Sequence, residues 1–257
     1  MDETTFRKLL FDLPLGGVRY LDRTESSNDV ALAWASQGAP DLSLVYAEEQ
    51  TQGRGRMGRR WFTPPGSALA FSLVLRPSAR EREAIGLFSG LGALALFAVL
   101  QKRGVAAQVK WPNDVLIGGC KTAGVLVETA WVGAEAESVV LGMGINVQPG
   151  SVPPAEVLNF PATCIEAETA APVERFALLH DVLAELVAWR PRLAAQGFLQ
   201  SWEDALAFRG QTVRVVLGAE EINGRVAGLE LGGQLRLELD GGGMRVLDFG
   251  EIQLRPL

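Results

Sequence analysis

Residues 50–61, Gln-Thr-Gln-Gly-Arg-Gly-Arg-Met-Gly-Arg-Arg-Trp, hold the chain's densest set of groups able to grip an anion. Arg54, Arg56, Arg59 and Arg60 are interleaved with Gly53, Gly55 and Gly58 between two apolar runs. Glycine lets backbone N–H groups approach an anion closely. Arginine adds a planar fork matched to carboxylate and phosphate oxygens. Such a loop repels itself when empty and orders when anions neutralise it. Three further patches carry related chemistry. Lys110-Trp-Pro-Asn-Asp114 sets an amide and a carboxylate at a rigid turn, Cys120-Lys121-Thr-Ala-Gly124 puts a lysine at the start of an apolar arm, and Ser26-Ser27-Asn28 offers hydroxyls ahead of an apolar helix. Each patch has a plainer reading when taken alone: a solvated basic loop, a surface turn, a strand-end lysine and a helix cap.

The formal net charge of −6 makes the arginine loop a local positive site on an acidic protein. That suits a small anionic ligand, and no nucleic-acid partner is expected. Cys120 and Cys164 lie far apart, which gives no disulfide framework or metal motif. His180, the sole histidine, sits in a helical pattern, so histidine catalysis or a zinc site is not expected. The N-terminus is charged and lacks the apolar centre of a secretory signal. The longest apolar run, 84–100, contains Gly86, Ser89, Gly90 and Gly92 and is shorter than the ~20 residues a membrane span requires. It predicts a buried helix, no membrane partner and a cytoplasmic protein.

The elements that must position these patches follow from patterning. Residues 18–21, 42–47, 68–75, 105–110 and 138–147 read as strands, and 115–127 as a hairpin turning at Gly118-Gly119. A helix is expected after Ser26-Ser27-Asn28-Asp29 as far as about Gln37, another over 85–102, and helical structure over 172–208 broken near Pro191 and Gly197. Residues 148–154 read as a Pro-rich connection. From Arg209 the texture becomes short alternating strands, 213–217, 235–240 and 244–249, which predicts a small β-barrel-like module.

In this order the patches resemble the biotin protein ligase family. The matching residues are Ser26-Ser27-Asn28, the 50–59 loop, Lys110-Trp-Pro-Asn-Asp114, Lys121-Thr-Ala-Gly-Val-Leu-Val-Glu128, Gly142-Met-Gly-Ile-Asn146 and the closing Gly250-Glu-Ile-Gln-Leu-Arg255. The resemblance implies an α/β (α+β) fold: a class II aminoacyl-tRNA synthetase-like mixed-sheet catalytic domain over 1–208 and an SH3-like module over 209–257. It implies a ligase that joins biotin to AMP from ATP with Mg2+ and then passes biotin to a lysine of a biotin carboxyl carrier domain. Fewer than 20 residues precede the first matching strand, so the expectation is a ligase without the DNA-binding domain of larger relatives. A homodimer formed through sheet edges near the 142–147 strand is also within the resemblance.

Site roles follow residue by residue from the resemblance. Lys121, Arg56 and Asp114 are implied in catalysis. Ser26, Ser27, Gln50, Gly53, Arg54, Arg56, Lys121 and Gly124 are implied around biotin. Arg54, Arg56, Arg59, Trp61, Lys110, Asn113, Asn146 and Arg255 are implied around the nucleotide. Asp114 is implied either as a magnesium ligand or in deprotonating the acceptor lysine. Two departures stand out: Ser26-Ser27 replaces the usual Ser-Thr, and Met57 stands where many relatives have arginine. A lipoate or octanoate ligase or transferase of related fold is the rival enzyme, and a non-catalytic biotin sensor the rival outside enzymes.

Overall fold

The computed structural model describes residues 2–217, 219–248 and the backbone of residues 252–256. Its helices are α1 (Glu3–Leu9), α2 (Ser27–Ser36), α3 (Ala79–Arg82), α4 (Phe88–Lys102), α5 (Ile165–Thr169), α6 (Arg175–Trp189) and α7 (Gln196–Asp204). Seven strands build one mixed sheet: β1 (Gly17–Thr24), β2 (Ser43–Gln50), β3 (Ala68–Leu75), β4 (Ala107–Lys110), β5 (Asp114–Ile117), β6 (Cys120–Val132) and β7 (Glu135–Asn146). Their spatial order is β1-β2-β3-β7-β6-β5-β4, with β1 and β2 parallel and the other neighbours antiparallel.

All eight residues of β3 are buried, as the near-continuous apolar run 68–75 requires of a strand covered on both faces. One face rests on α4 and α6. The stretch Ile85–Lys102 has the length and apolarity of a membrane span, yet it packs here as the core helix. Its glycines explain how. A Cβ at Gly90 would lie 2.4 Å from the Trp202 ring, and one at Gly92 3.0 Å from Val125. The other face is covered at one end by α2, whose Ala31 and Ala35 meet Val45, Val74 and Val140. Beyond the N-terminus of α2 that face is floored by small residues. Ala47, Ala70, Gly144 and Gly124 stand opposite one another across four strands, and Asp114 and Lys110 continue the row. With so little side chain on its floor, this part of the sheet is a trough.

The second sheet holds β8 (Thr212–Leu217), β9 (Glu220–Leu229), β10 (Leu235–Leu239), β11 (Met244–Leu247) and β12 (Ile252–Pro256), in order β11-β10-β9-β8-β12. It is the SH3-like module. It meets the first sheet where the Trp111 indole N–H donates to the Gly233 carbonyl at 2.8 Å.

Several elements were not anticipated, among them α1, α3, α5, β9 and β12. In β9 the inward apolar set is interrupted by Gly224 between Ile222 and Val226, and a Cβ at Gly224 would lie 2.8 Å from the Glu238 carbonyl oxygen, so the glycine serves strand approach. Helix α1 is short and charged and is held by Phe6 in the core. Strand β12 alternates through Ile252-Gln253-Leu254-Arg255 but is only five residues long and lies beyond the last predicted strand, 244–249. The 142–147 strand, near which a dimer contact was expected, is not itself a sheet edge. Residues 142–146 lie in β7, in the interior of the sheet between β3 and β6. Both edge strands of this sheet carry contacts from outside it. At β1, Arg7 donates to the Val18 carbonyl and Glu3 accepts from the Tyr20 N–H. At β4, Val109 exchanges backbone hydrogen bonds with Ala205 and Ala207.

Candidate functional site

The trough's charged end is set by two turns. In the β4–β5 hairpin, Lys110 and Asp114 stand directly opposite each other across the Trp111-Pro112-Asn113 turn. The β5–β6 turn has Gly118 and Gly119 at φ +57° and +78°, which only glycine adopts readily, and it places Lys121 opposite Leu116. The register then slips, leaving Val115 opposite Ala123 and Asp114 opposite Gly124. Strand side chains alternate faces, so residues 121 and 124 would ordinarily point apart; the bulge at Thr122 brings Lys121, Gly124 and Asp114 onto one face. Lys121 Nζ lies 2.6 Å and Lys110 Nζ 3.6 Å from the Asp114 carboxylate. Burial alone would raise the Asp114 pKa, but the Lys121 ammonium, then Lys110, reverses this and holds it below the usual carboxylate range.

The arginine loop folds over this end as a small hairpin. The Trp61 N–H donates to the Gly53 carbonyl and the Gly55 N–H to the Arg59 carbonyl, both at 2.7 Å. Its tip, Arg56–Gly58, turns through Met57 at φ +59° and Gly58 at +68°. Arg54 forks onto Asp29 with two 2.6 Å bonds and reaches Glu128 at 3.3 Å, so its guanidinium anchors the loop's stem. Arg56 has a lowered pKa, chiefly from burial and also from Arg59, partly offset by the Asp114 charge. The Trp61 indole lies on the glycine floor: a Cβ at Gly144 would sit 2.2 Å from its Nε1. Lys121 Nζ is 5.4 Å from the centre of that ring.

The N-terminus of α2 forms the opposite end. Ser26 takes the N-cap position without a side-chain cap bond, so the serine pair is not spent on capping. The Ser27 N–H donates to Gln50 Oε1 at 2.7 Å, and Gln50 Nε2 donates to Thr63 Oγ1 at 3.1 Å. A wall missing from the sequence expectations comes from residues 153–162. It is tied down by the Lys121 N–H donating to the Pro161 carbonyl and the Thr163 N–H donating to the Lys121 carbonyl, and Phe160 sits 4.3 Å from Lys110 Nζ. The signal was present as a long connection without strong helix or strand pattern, a length usually reserved for functional loops.

The resulting cavity is about 980 Å³. It is lined by Ser26, Ser27, Gln50, Arg54, Arg56, Arg59, Trp61, Lys110, Asn113, Asp114, Lys121, Gly124 and Asn146. Asn113 and Asn146 spend their amide nitrogens on the Val125 and Thr163 carbonyls, which leaves their amide oxygens for other partners. Gly53 is not part of the lining; a Cβ there would lie 2.5 Å from the Trp61 carbonyl oxygen, so it permits the loop's closure. The Arg255 side chain lies outside the described residues. A protein-built magnesium site does not fit. Among the described residues no group of three or more His, Cys, Asp or Glu side chains converges, and both Asp114 oxygens already face ammonium groups.

Residues 20–146 match the model of the biotin/lipoate A/B protein ligase family, and residues 208–255 that of the biotin protein ligase C-terminal domain. A biotin–[acetyl-CoA-carboxylase] ligase of Paracoccus denitrificans is 36% identical over 248 residues, covering 90% of this chain and 98% of that protein. The chain belongs to the biotin protein ligase family. Another member, the bifunctional ligase/repressor BirA of Escherichia coli, is 33% identical over 97% of this chain and 77% of its own length. The biotin protein ligase of Aquifex aeolicus, solved in complex with biotin and ATP, superposes with a TM-score of 0.80 at 26% identity, covering 94% of this chain and 99% of that one.

Proposed function

We propose that this biotin protein ligase activates biotin with ATP and transfers it to a lysine of a biotin carboxyl carrier protein. A biotin carboxylate oxygen attacks the α-phosphorus of ATP, and the bond to pyrophosphate breaks, giving biotinyl-5′-AMP. The acceptor lysine amine then attacks the acyl carbon, AMP leaves with the bonding pair, and the amine loses its proton. The observation that carries this reading is the Lys121–Asp114–Lys110 cluster at the end of a trough roofed by the arginine loop. Two anions that repel each other need positive charge between them at attack, and Lys121 and Arg56 are the groups we assign to supply it. Ser27 and Gln50, at the far end, are assigned to the polar ureido head. We read magnesium as a companion of the triphosphate, a hard ion carried on phosphate oxygens and water, with no step routed through Asp114. Division of labour near residue 208, and a cytoplasmic setting where ATP and carrier meet, complete the proposal.

Biotin-dependent ATP–pyrophosphate exchange tests it, with lipoate as the only changed variable, followed by transfer to an apo carrier domain. Exchange with biotin and none with lipoate is expected. Exchange driven by lipoate, or by neither acid, refutes it.

A further inference from the structure

Ser27 lines the cavity, yet its hydroxyl oxygen lies 2.8 Å from that of Ser72, a fully buried residue on β3. Ser72 Oγ is also 2.5 Å from Asn28 Oδ1. At the other end of the same amide, Asn28 Nδ2 donates to Glu128 at 2.6 Å. Gly142 makes room for this: a Cβ there would lie 2.1 Å from Asn28 Oδ1. The four groups form one chain running from the surface of β6 to the cavity wall.

Its hydrogen bonds have a forced direction. A carboxylate only accepts, so Glu128 assigns the amide nitrogen of Asn28 to itself and the amide oxygen to Ser72. Ser72 has one proton, which goes to that oxygen. Ser27 therefore gives its proton to Ser72 and turns only lone pairs toward the cavity. Glu128 is held at the head of the chain by Arg54, the first arginine of the loop, at 3.3 Å.

We propose that Glu128, Asn28 and Ser72 are positioning residues that fix Ser27 as a hydrogen-bond acceptor, so that the site selects a ligand head presenting an N–H at that point. The inference rests on the biotin ligase reading, since a ureido ring supplies such donors. A ring oxygen in place of the N–H sets lone pair against lone pair. Leaving a buried acceptor so opposed costs about tenfold to a hundredfold in affinity.

The test is calorimetric binding to the full chain of biotin and of its two cyclic carbamate analogues, each with one ring N–H replaced by oxygen. The parent is expected to disfavour at least one carbamate by about tenfold or more. In Ser72→Ala the Ser27 proton is free to turn into the cavity, and the gap should narrow to about threefold or less, with biotin losing affinity and that carbamate not. Glu128→Gln keeps the shape but lets Asn28 reverse, so it should narrow the gap too, and it decides the matter if Ser72→Ala does not fold. A gap unchanged in the folded variants, with both ligands weakened alike, overturns the inference. A parent that binds biotin but rejects neither carbamate overturns it while leaving the ligase reading intact; a parent that does not bind biotin overturns both.

Discussion

Lys121→Ala should separate the chemistry of this site from its stability. Asp114 has two cations, Lys121 at 2.6 Å and Lys110 at 3.6 Å. At an effective dielectric near 20, unit charges at those separations attract by about 6 and about 5 kcal/mol. After Lys121 is lost, Lys110 still supplies an attraction of similar size, so Asp114 is not left as an unpaired buried charge. Lys121 is also a quarter exposed, and water screens part of what it gives. The expected loss of folding free energy is about 1–2 kcal/mol, against the roughly 5–15 kcal/mol of an ordinary domain. The rate should suffer more. A preorganised charge aimed at developing negative charge contributes about 3–4 kcal/mol, or about 10²–10³ in rate. The assay is single-turnover formation of biotinyl-AMP from α-labelled ATP, paired with a thermal melt of the same preparation. Adenylation within fivefold of the parent, or loss of a cooperative melt, refutes the reasoning. Lys121→Arg should recover little, because the ammonium is tucked 3.1 Å from where a Cβ on Gly124 would lie and a guanidinium is wider.

Arg56→Ala should release biotinyl-AMP to solvent about 10- to 100-fold faster, the loss of one charge-assisted contact from the roof, as read by trapping of labelled adenylate. Gly144→Ala should keep a cooperative melt but weaken biotin binding by about 100-fold or more, because the new methyl and the Trp61 indole claim the same space; calorimetry checks this. For pH, burial would raise the Glu48 carboxyl, but Arg175, the Gly66 N–H and the Tyr46 hydroxyl outweigh it and lower its pKa, as the lysines lower that of Asp114. Folded values below unfolded ones mean that this stability is full above about pH 4.5 and lost as pH falls through the folded values. The urea midpoint should therefore be flat from about pH 7 to 5 and fall below about 4, and Glu48→Gln should start lower with a shallower acid limb. An equally steep limb in that variant would assign the acid loss elsewhere.

Strand 68–75 was legible because a strand buried on both faces is a near-continuous apolar run, strand 138–147 because its apolar residues are separated only by small ones and Asn146, and helix 85–102 because nothing so apolar can face water. The patches that line the cavity were visible as arginine, lysine and carboxylate beside glycine and proline turns, but each alone also fitted a solvated loop or turn, and only their order, through the family resemblance, grouped them. Other features were hidden for definite reasons. Strand β9 carries Gly224 for close strand approach, which interrupts the alternation a reader counts. Glu128 and Ser72 looked like an ordinary strand acid and a small core residue, since their interest lies in partners 44 and 100 positions away in sequence. Arg54 could not be told from Arg56 by composition; only Asp29 and Glu128 show which of the two is an anchor.

The bulge at Thr122 shows why the motif has the spacing it has. Lys121 and Gly124 are three apart, a separation that in a regular strand would place the ammonium and the open floor on opposite faces. A strict turn at Gly118-Gly119 fixes the near end of the hairpin, and the slip after Lys121 lets Gly124 fall opposite Asp114. The charge balance follows. One carboxylate between two ammoniums restrains their mutual repulsion, so both can stay in a mostly buried place, and it leaves one positive charge over at the end of the trough. Two lysines without Asp114 would repel each other in a mostly buried place; with it, the three groups keep one net positive charge beside the Arg56 and Arg59 guanidiniums that line the same cavity. Under the proposed function, that surplus and the loop's guanidiniums act together on the carboxylate and the phosphate, so Asp114 has the task of keeping two ammoniums side by side rather than of cancelling the site's charge.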